Sequence, residues 1–168
     1  MVKTENVKDL TVAAMFAALC CVATMAFKVP TPTNGYVHLG DCFVLLAGFL
    51  LSPAYGAAAA GVGSALADLL SGYAYYVPAS LIVKALCALI AYALYSRLGH
   101  SLMGAIAAAA AAECAMVAGY FCYEGIVLGY GAAALAGVPM NIGQGVFGLV
   151  SSVVLLKALE RAVPVLRR

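Results

Sequence analysis

Charge is what this sequence has least of. Sixteen of its 168 residues carry it, nine Lys or Arg against seven Asp or Glu. That scarcity excludes a disordered chain, a nucleic-acid binder with a basic face and an ordinary soluble enzyme. The net charge of +2 says nothing about partners, so the useful question is where the few charges sit. Other signatures are missing too. There is no G-x-x-x-x-G-K-[ST] loop, so the chain does not energise anything with its own ATPase by that route. H-E-x-x-H and G-x-S-x-G are absent, and Gly61-Val62-Gly63-Ser64 reads as a helix-packing stretch. The contexts of Asp41 and Asp68 do not match an intramembrane aspartyl dyad. No C-x-x-C pair occurs among Cys20, Cys21, Cys42, Cys87, Cys114 and Cys122, which read as buried small hydrophobes and give no metal site.

What is present is apolar. The hydrophobic set makes up 65% of the chain, and seventeen glycines raise the figure to roughly 75%, where a soluble domain counted the same way has about 45–50%. Mean hydropathy is +1.04. The apolar runs are continuous rather than alternating, which argues against a transmembrane barrel. At roughly 20 residues per crossing, six helices use about 120 residues and leave only short loops. The expected fold is therefore an all-α membrane protein, six transmembrane helices in one compact bundle, forming a single domain over 1–168. The spans read as Asp9–Phe27, Val37–Leu51, Tyr55–Ser71, Pro78–Arg97, Leu102–Phe121 and Pro139–Leu159. The run from Cys122 to Val138 reads as a longer loop. Lys3, Glu5, Lys8 and Asp9 precede a first run long enough to span, with no A-x-A-like site after it, so no cleavable signal peptide is expected. Lys3, Lys8, Arg97, Lys157, Arg161, Arg167 and Arg168 fall on one side, and only Lys28 falls in a loop on the other. The positive-inside rule then puts both termini in the cytoplasm.

In that frame the intramembrane polar residues gather toward the outer side. Asp41 opens the second span. By helix rise, Asp68 lies about 6 Å deep, Lys84 about 9 Å and Glu113 about 12 Å. Asn141 and Gln144 share a face in the first outer turns of the sixth span. A charged group at mid-membrane costs at least about 2.5–3.5 kcal/mol. Several of them at one depth, beneath loops that carry Tyr73, Tyr75, Tyr76 and Glu124, suggest a water-accessible pocket opening outward. The alternative is that Lys84 pairs with Asp68 or Glu113 purely to hold helices together. His38, at the outer interface, is a further candidate contact, with Tyr120 and Tyr123 weaker ones.

Three stretches carry a family resemblance: Gly35-Tyr36-Val37-His38-Leu39-Gly40-Asp41, Gly61 through Tyr73, and Pro78 through Leu86. They resemble segments of the substrate-binding S components of energy-coupling factor (ECF) vitamin transporters, closest to the hydroxymethylpyrimidine, pyridoxine and riboflavin members. The resemblance implies a multi-pass protein of a bacterial-type cell membrane that is not itself an enzyme. It implies one vitamin or precursor bound from outside, and partners in the form of a transmembrane T component and two ABC-type ATPases. ATP would be used by those subunits, with no cofactor or metal in this chain and no nucleic acid. A nickel or cobalt member is disfavoured, because the amino terminus is not His-rich. The substrate-binding set expected on this basis is Asn34, Tyr36, His38, Asp41, Asp68, Tyr73, Tyr76, Lys84, Glu113, Asn141 and Gln144. Ala13, Ala14, Ala17 and Ala18 resemble the family's small-residue face for the coupling protein. The competing expectation is a stand-alone proton-coupled carrier, or a membrane-embedded enzyme, using Asp68 and Glu113.

Overall fold

A computed structural model of the chain describes residues 4–162. Six helices run α1 (Thr4–Ala26), α2 (Asp41–Leu50), α3 (Pro53–Leu70), α4 (Val77–Arg97), α5 (Leu102–Cys122) and α6 (Val138–Ala162). Lys3, Arg167 and Arg168, which carry part of the orientation argument, lie outside the described residues. Among the described residues, four helical segments are long and apolar enough to cross a membrane: those containing α1, α4, α5 and α6. The second predicted span is shorter than its sequence suggested. At ten residues α2 is about 15 Å long, half a hydrocarbon core. Its expected start, around Val37, instead belongs to an antiparallel hairpin of β1 (Lys28–Pro30) and β2 (Tyr36–His38), in register Lys28↔His38, Val29↔Val37 and Pro30↔Tyr36. The tip, Thr31 to Gly35, closes through Thr31 N to the Gly35 carbonyl at 3.0 Å, with Asn34 in the left-handed region (φ 57°).

Because α2 is apolar on all sides, it is the buried centre of the bundle, with Val44 to Ala47 at 1% exposure or less. It touches every other helix. Close approach comes from residues without bulk. A Cβ on Gly48 would meet the Ala88 carbonyl of α4 at 2.5 Å, and one on Gly61 the Leu81 carbonyl at 2.6 Å. One on Gly63 would collide with the Ala17 carbonyl of α1. These are the backbone contacts that small residues permit where lipid supplies no hydrophobic drive. In the alanine run of α5, Ala108, Ala109 and Ala112 are fully buried. Large apolar side chains such as Ile82, Leu86, Val146, Val150 and Val154 face outward.

Two features at one end of the bundle position the site. Gly72, at φ +85°, terminates α3 with Tyr73 N bonded to the Asp68 carbonyl at 2.9 Å, which turns Tyr73–Tyr76 back over the bundle. The predicted loop after α5 is largely helical: a π turn at Tyr123–Val127 and a 3-10 turn at Gly131–Ala136. The π turn carries Glu124 inward to 3% exposure. All six cysteines are free; Cys20, Cys42 and Cys87 are buried as expected, whereas Cys114 and Cys122 are exposed.

Candidate functional site

A narrow cavity of about 20 Å³ lies beneath the hairpin, lined by β2, the ends of α3 and α5 and the starts of α4 and α6. Of the expected binding residues, Tyr36, His38, Asp68, Tyr76, Asn141 and Gln144 line it. Asn34 and Tyr73 line a wider, open depression that shares Thr31 and Gly35 with it. Aromatic rings wall the cavity on two sides. Tyr36 stands 5.6 Å from His38 and 4.6 Å from Tyr73, and Tyr76 stands 6.2 Å from Tyr120, centroid to centroid.

Two carboxylates sit in this lining, each held by a tyrosine. Tyr36 Oη donates to Asp68 Oδ1 at 2.6 Å. Tyr76 Oη donates to Glu124 Oε1 at 2.8 Å, and Thr33 Oγ1 donates to the same oxygen at 3.0 Å. The second oxygens, Asp68 Oδ2 and Glu124 Oε2, are buried without a partner. Burial, followed by the bond to Asp68, pushes the Tyr36 phenol up, so it stays a donor. His38 Nδ1 accepts from Gly40 N at 3.0 Å, which leaves the ring proton on Nε2. Burial pushes the imidazole down to about 4, so it is neutral at physiological pH. Ser80 and Tyr120 share a hydrogen bond at 2.7 Å.

Of the other expected residues, Asp41 and Lys84 form a buried network behind the lining. Lys84 follows Ser80 by one turn of α4, about 6 Å further from the outer end. It is fully buried and donates to Asp41 Oδ1 at 2.5 Å, with its Nζ 5.2 Å from the Tyr120 ring centre. The expected alternative partners, Asp68 and Glu113, are thus replaced by Asp41, because α2 is central enough to present its first residue to α4. Gln144 joins network to cavity. Its Nε2 donates to Asp41 Oδ2 at 2.7 Å, and its Oε1 accepts from His38 N at 2.7 Å. Glu113 packs between α5 and α6, where Cβ atoms on Gly145 or Gly148 would crowd it. It borders a separate apolar groove with Val117, Phe121, Ile142, Val146 and Leu149. The single layer expected from sequence is therefore a cavity with a buried network behind it.

Thr31, Ser80, Tyr120 and Glu124 line the cavity although the expected set omits them. Helical spacing offered a signal for two: Ser80 lies at i−4 from Lys84 and Tyr120 at i+7 from Glu113. Glu124 had only its outer position as a signal, since its glycine-rich context reads as loop. On α1, Ala13 is buried and Ala17 backs onto Gly63, while Ala14 and Ala18 are exposed.

Comparison with known proteins bears on this architecture. The family model described as "ECF-type riboflavin transporter, S component" matches residues 4–161. The chain is 30% identical over 167 residues to the thiamine precursor transporter HmpT of Lactococcus lactis subsp. cremoris, covering 96% of this chain and 93% of that protein. A solved S component of a bacterial ECF transporter superposes with a TM-score of 0.73 at 27% identity, covering 97% of this chain and 99% of the other. The S component for biotin from an ECF-type ABC transporter gives 0.64 at 20% identity over 96% and 95%, a likeness of fold.

Proposed function

Since the chain belongs to the family of ECF-type riboflavin transporter S components, substrate-binding membrane subunits for vitamin uptake and not an enzyme class, we propose that its ligand is a single-ring heterocyclic vitamin precursor of the hydroxymethylpyrimidine type, bound in the cavity beneath the hairpin. The observation that carries this is the lining itself: aromatic on two sides and ringed by polar groups. Tyr36 and Tyr76 would flank the ring, while Asn141, Gln144, Ser80 and the two carboxylates would meet its substituents. The relative's name, a thiamine precursor transporter, supports the same class.

The family implies association with a transmembrane T component and ATPase subunits. We assign the contact with the T component to the exposed face of α1 that bears Ala14 and Ala18, where small side chains allow close but exchangeable packing. Arg97, Lys157 and Arg161 lie at or near the helix ends remote from the hairpin, which supports an outward-facing cavity and cytoplasmic termini. Uptake of isotopically labelled 4-amino-5-hydroxymethyl-2-methylpyrimidine tests the proposal. Cells or vesicles holding this chain with a T component and ATPases should accumulate it on ATP hydrolysis. Accumulation by the chain alone down a proton gradient would favour a stand-alone carrier and contradict the assignment.

A further inference from the structure

The cavity has two acids and no fixed cation. Asp68 and Glu124 line it at 4% and 3% exposure, and none of its lining residues is Lys or Arg. Lys84 is committed to Asp41 behind the lining. Lys28, on β1, is exposed and donates to Ser71 Oγ at 2.9 Å. His38 has its Nδ1 occupied by a backbone donor and is uncharged. The two acids are built alike: one oxygen held by a tyrosine, the other buried and unpartnered. An unmet buried acceptor is costly, and more so when ionised, so a ligand that supplies a donor recovers that cost. An anionic ligand meets no opposite charge in the lining and is repelled wherever either acid is ionised.

We infer that Asp68 and Glu124 act together as a charge filter: the ligand is an uncharged or cationic heterocycle presenting N–H donors to Asp68 Oδ2 and Glu124 Oε2, and phosphorylated or carboxylated relatives of it are refused. This deepens the ligand reading above and rests on the same cavity. It assigns Glu124 a role that its sequence context did not suggest. It also makes an amino substituent a condition for tight binding.

The experiment is equilibrium binding to the purified full-length chain. Three probes are used: 4-amino-5-hydroxymethyl-2-methylpyrimidine, its phosphate monoester, and the analogue with methyl in place of the amine. The amine should bind and the ester should not. Glu124→Gln and Asp68→Asn should each weaken the amine about tenfold to a hundredfold, the range of a charge-assisted bond. The methyl analogue should bind the unsubstituted protein more weakly and be insensitive to at least one of the two substitutions. Glu124→Gln keeps an acceptor for Tyr76, so the fold should hold. Should it fail to fold, Gly137→Ala gives an independent test. Its Cβ would lie 3.1 Å from Glu124 Oε2, and it should weaken the amine more than the methyl analogue. Tight binding of the phosphate ester, or unchanged affinity in both acid variants, would overturn the filter. If no pyrimidine binds, the ligand assignment fails on its own. Pyridoxamine and its 5′-phosphate then decide the filter: binding of the amine alone supports it, and binding of the phosphate overturns it.

Discussion

Replacing Lys84 by methionine isolates the buried ion pair. The substitution keeps the side chain out to Cε and removes the ammonium. Asp41 is 2% exposed; it would keep Gln144 at Oδ2 and lose its 2.5 Å partner at Oδ1. Inside a bundle surrounded by lipid no water replaces the ammonium. Breaking a buried pair by removing one partner costs about 3–5 kcal/mol. For a chain of this size each kcal/mol moves the midpoint by about 2–4 °C, so the apparent Tm should fall by about 6–20 °C. Adding Asp41→Asn should recover most of that loss, since a neutral replacement of a buried pair is often no less stable than the pair. The introduced amide oxygen still accepts from Gln144, so the link through Gln144 to His38 survives and ligand affinity should stay close to that of the unsubstituted chain. The assay is a double-mutant cycle by thermal unfolding in detergent, with ligand binding measured on all four proteins. Additive losses, or an unchanged Tm for Lys84→Met, would refute the pairing. Loss of binding in Lys84→Met at undiminished stability would return Lys84 to the ligand site itself.

Other consequences can be measured on the same material. Gly63→Val puts a side chain against the Ala17 carbonyl and should separate α1 from α3, seen as lower thermal stability and a broadened size-exclusion profile. Ala14→Leu and Ala18→Leu act on an exposed face; they should leave ligand affinity unchanged and block co-purification with the T component and uptake. His38 titrates near 4 when folded and near 6.5 when unfolded, so the unfolded chain takes up the proton first as pH falls. Stability should therefore be flat above pH 6.5 and fall toward pH 4, by up to about 1.4 kcal/mol per pH unit. His38→Gln should flatten that slope in thermal melts at pH 7 and pH 5.

The helices were legible because lipid solvent imposes a blunt requirement: backbone groups satisfied within apolar runs. Four helices, α3 to α6, begin and end within three residues of their expected bounds, and α1 ends one residue short of Phe27 but starts earlier than Asp9, at Thr4. The exception, α2, is instructive. Val37 and His38 read as the start of a helix, but their backbone pairs with that of Lys28 and Val29, a contact between segments that periodicity cannot register. The site was half legible for a similar reason. Depth along a helix puts Asp68, Asn141 and Gln144 at the level of the cavity they line, since all three lie within a few turns of an outer end. Depth does not say which way a helix faces. Lys84 and Glu113 have comparable depth but lie behind the lining, and only the central position of α2 reveals Asp41 as the partner of Lys84. Glu124 was hidden differently: a π turn, which glycine-rich composition does not announce, folds it inward.

The claim on which the account rests is that the cavity beneath the hairpin binds a single-ring, amine-bearing vitamin precursor. Isothermal titration of the purified full-length chain with 4-amino-5-hydroxymethyl-2-methylpyrimidine, repeated for Asp68→Asn, tests it most directly. The account predicts saturable binding of one ligand per chain, weakened by the substitution about tenfold or more. Absence of binding, or binding of riboflavin in its place with no dependence on Asp68, would contradict it.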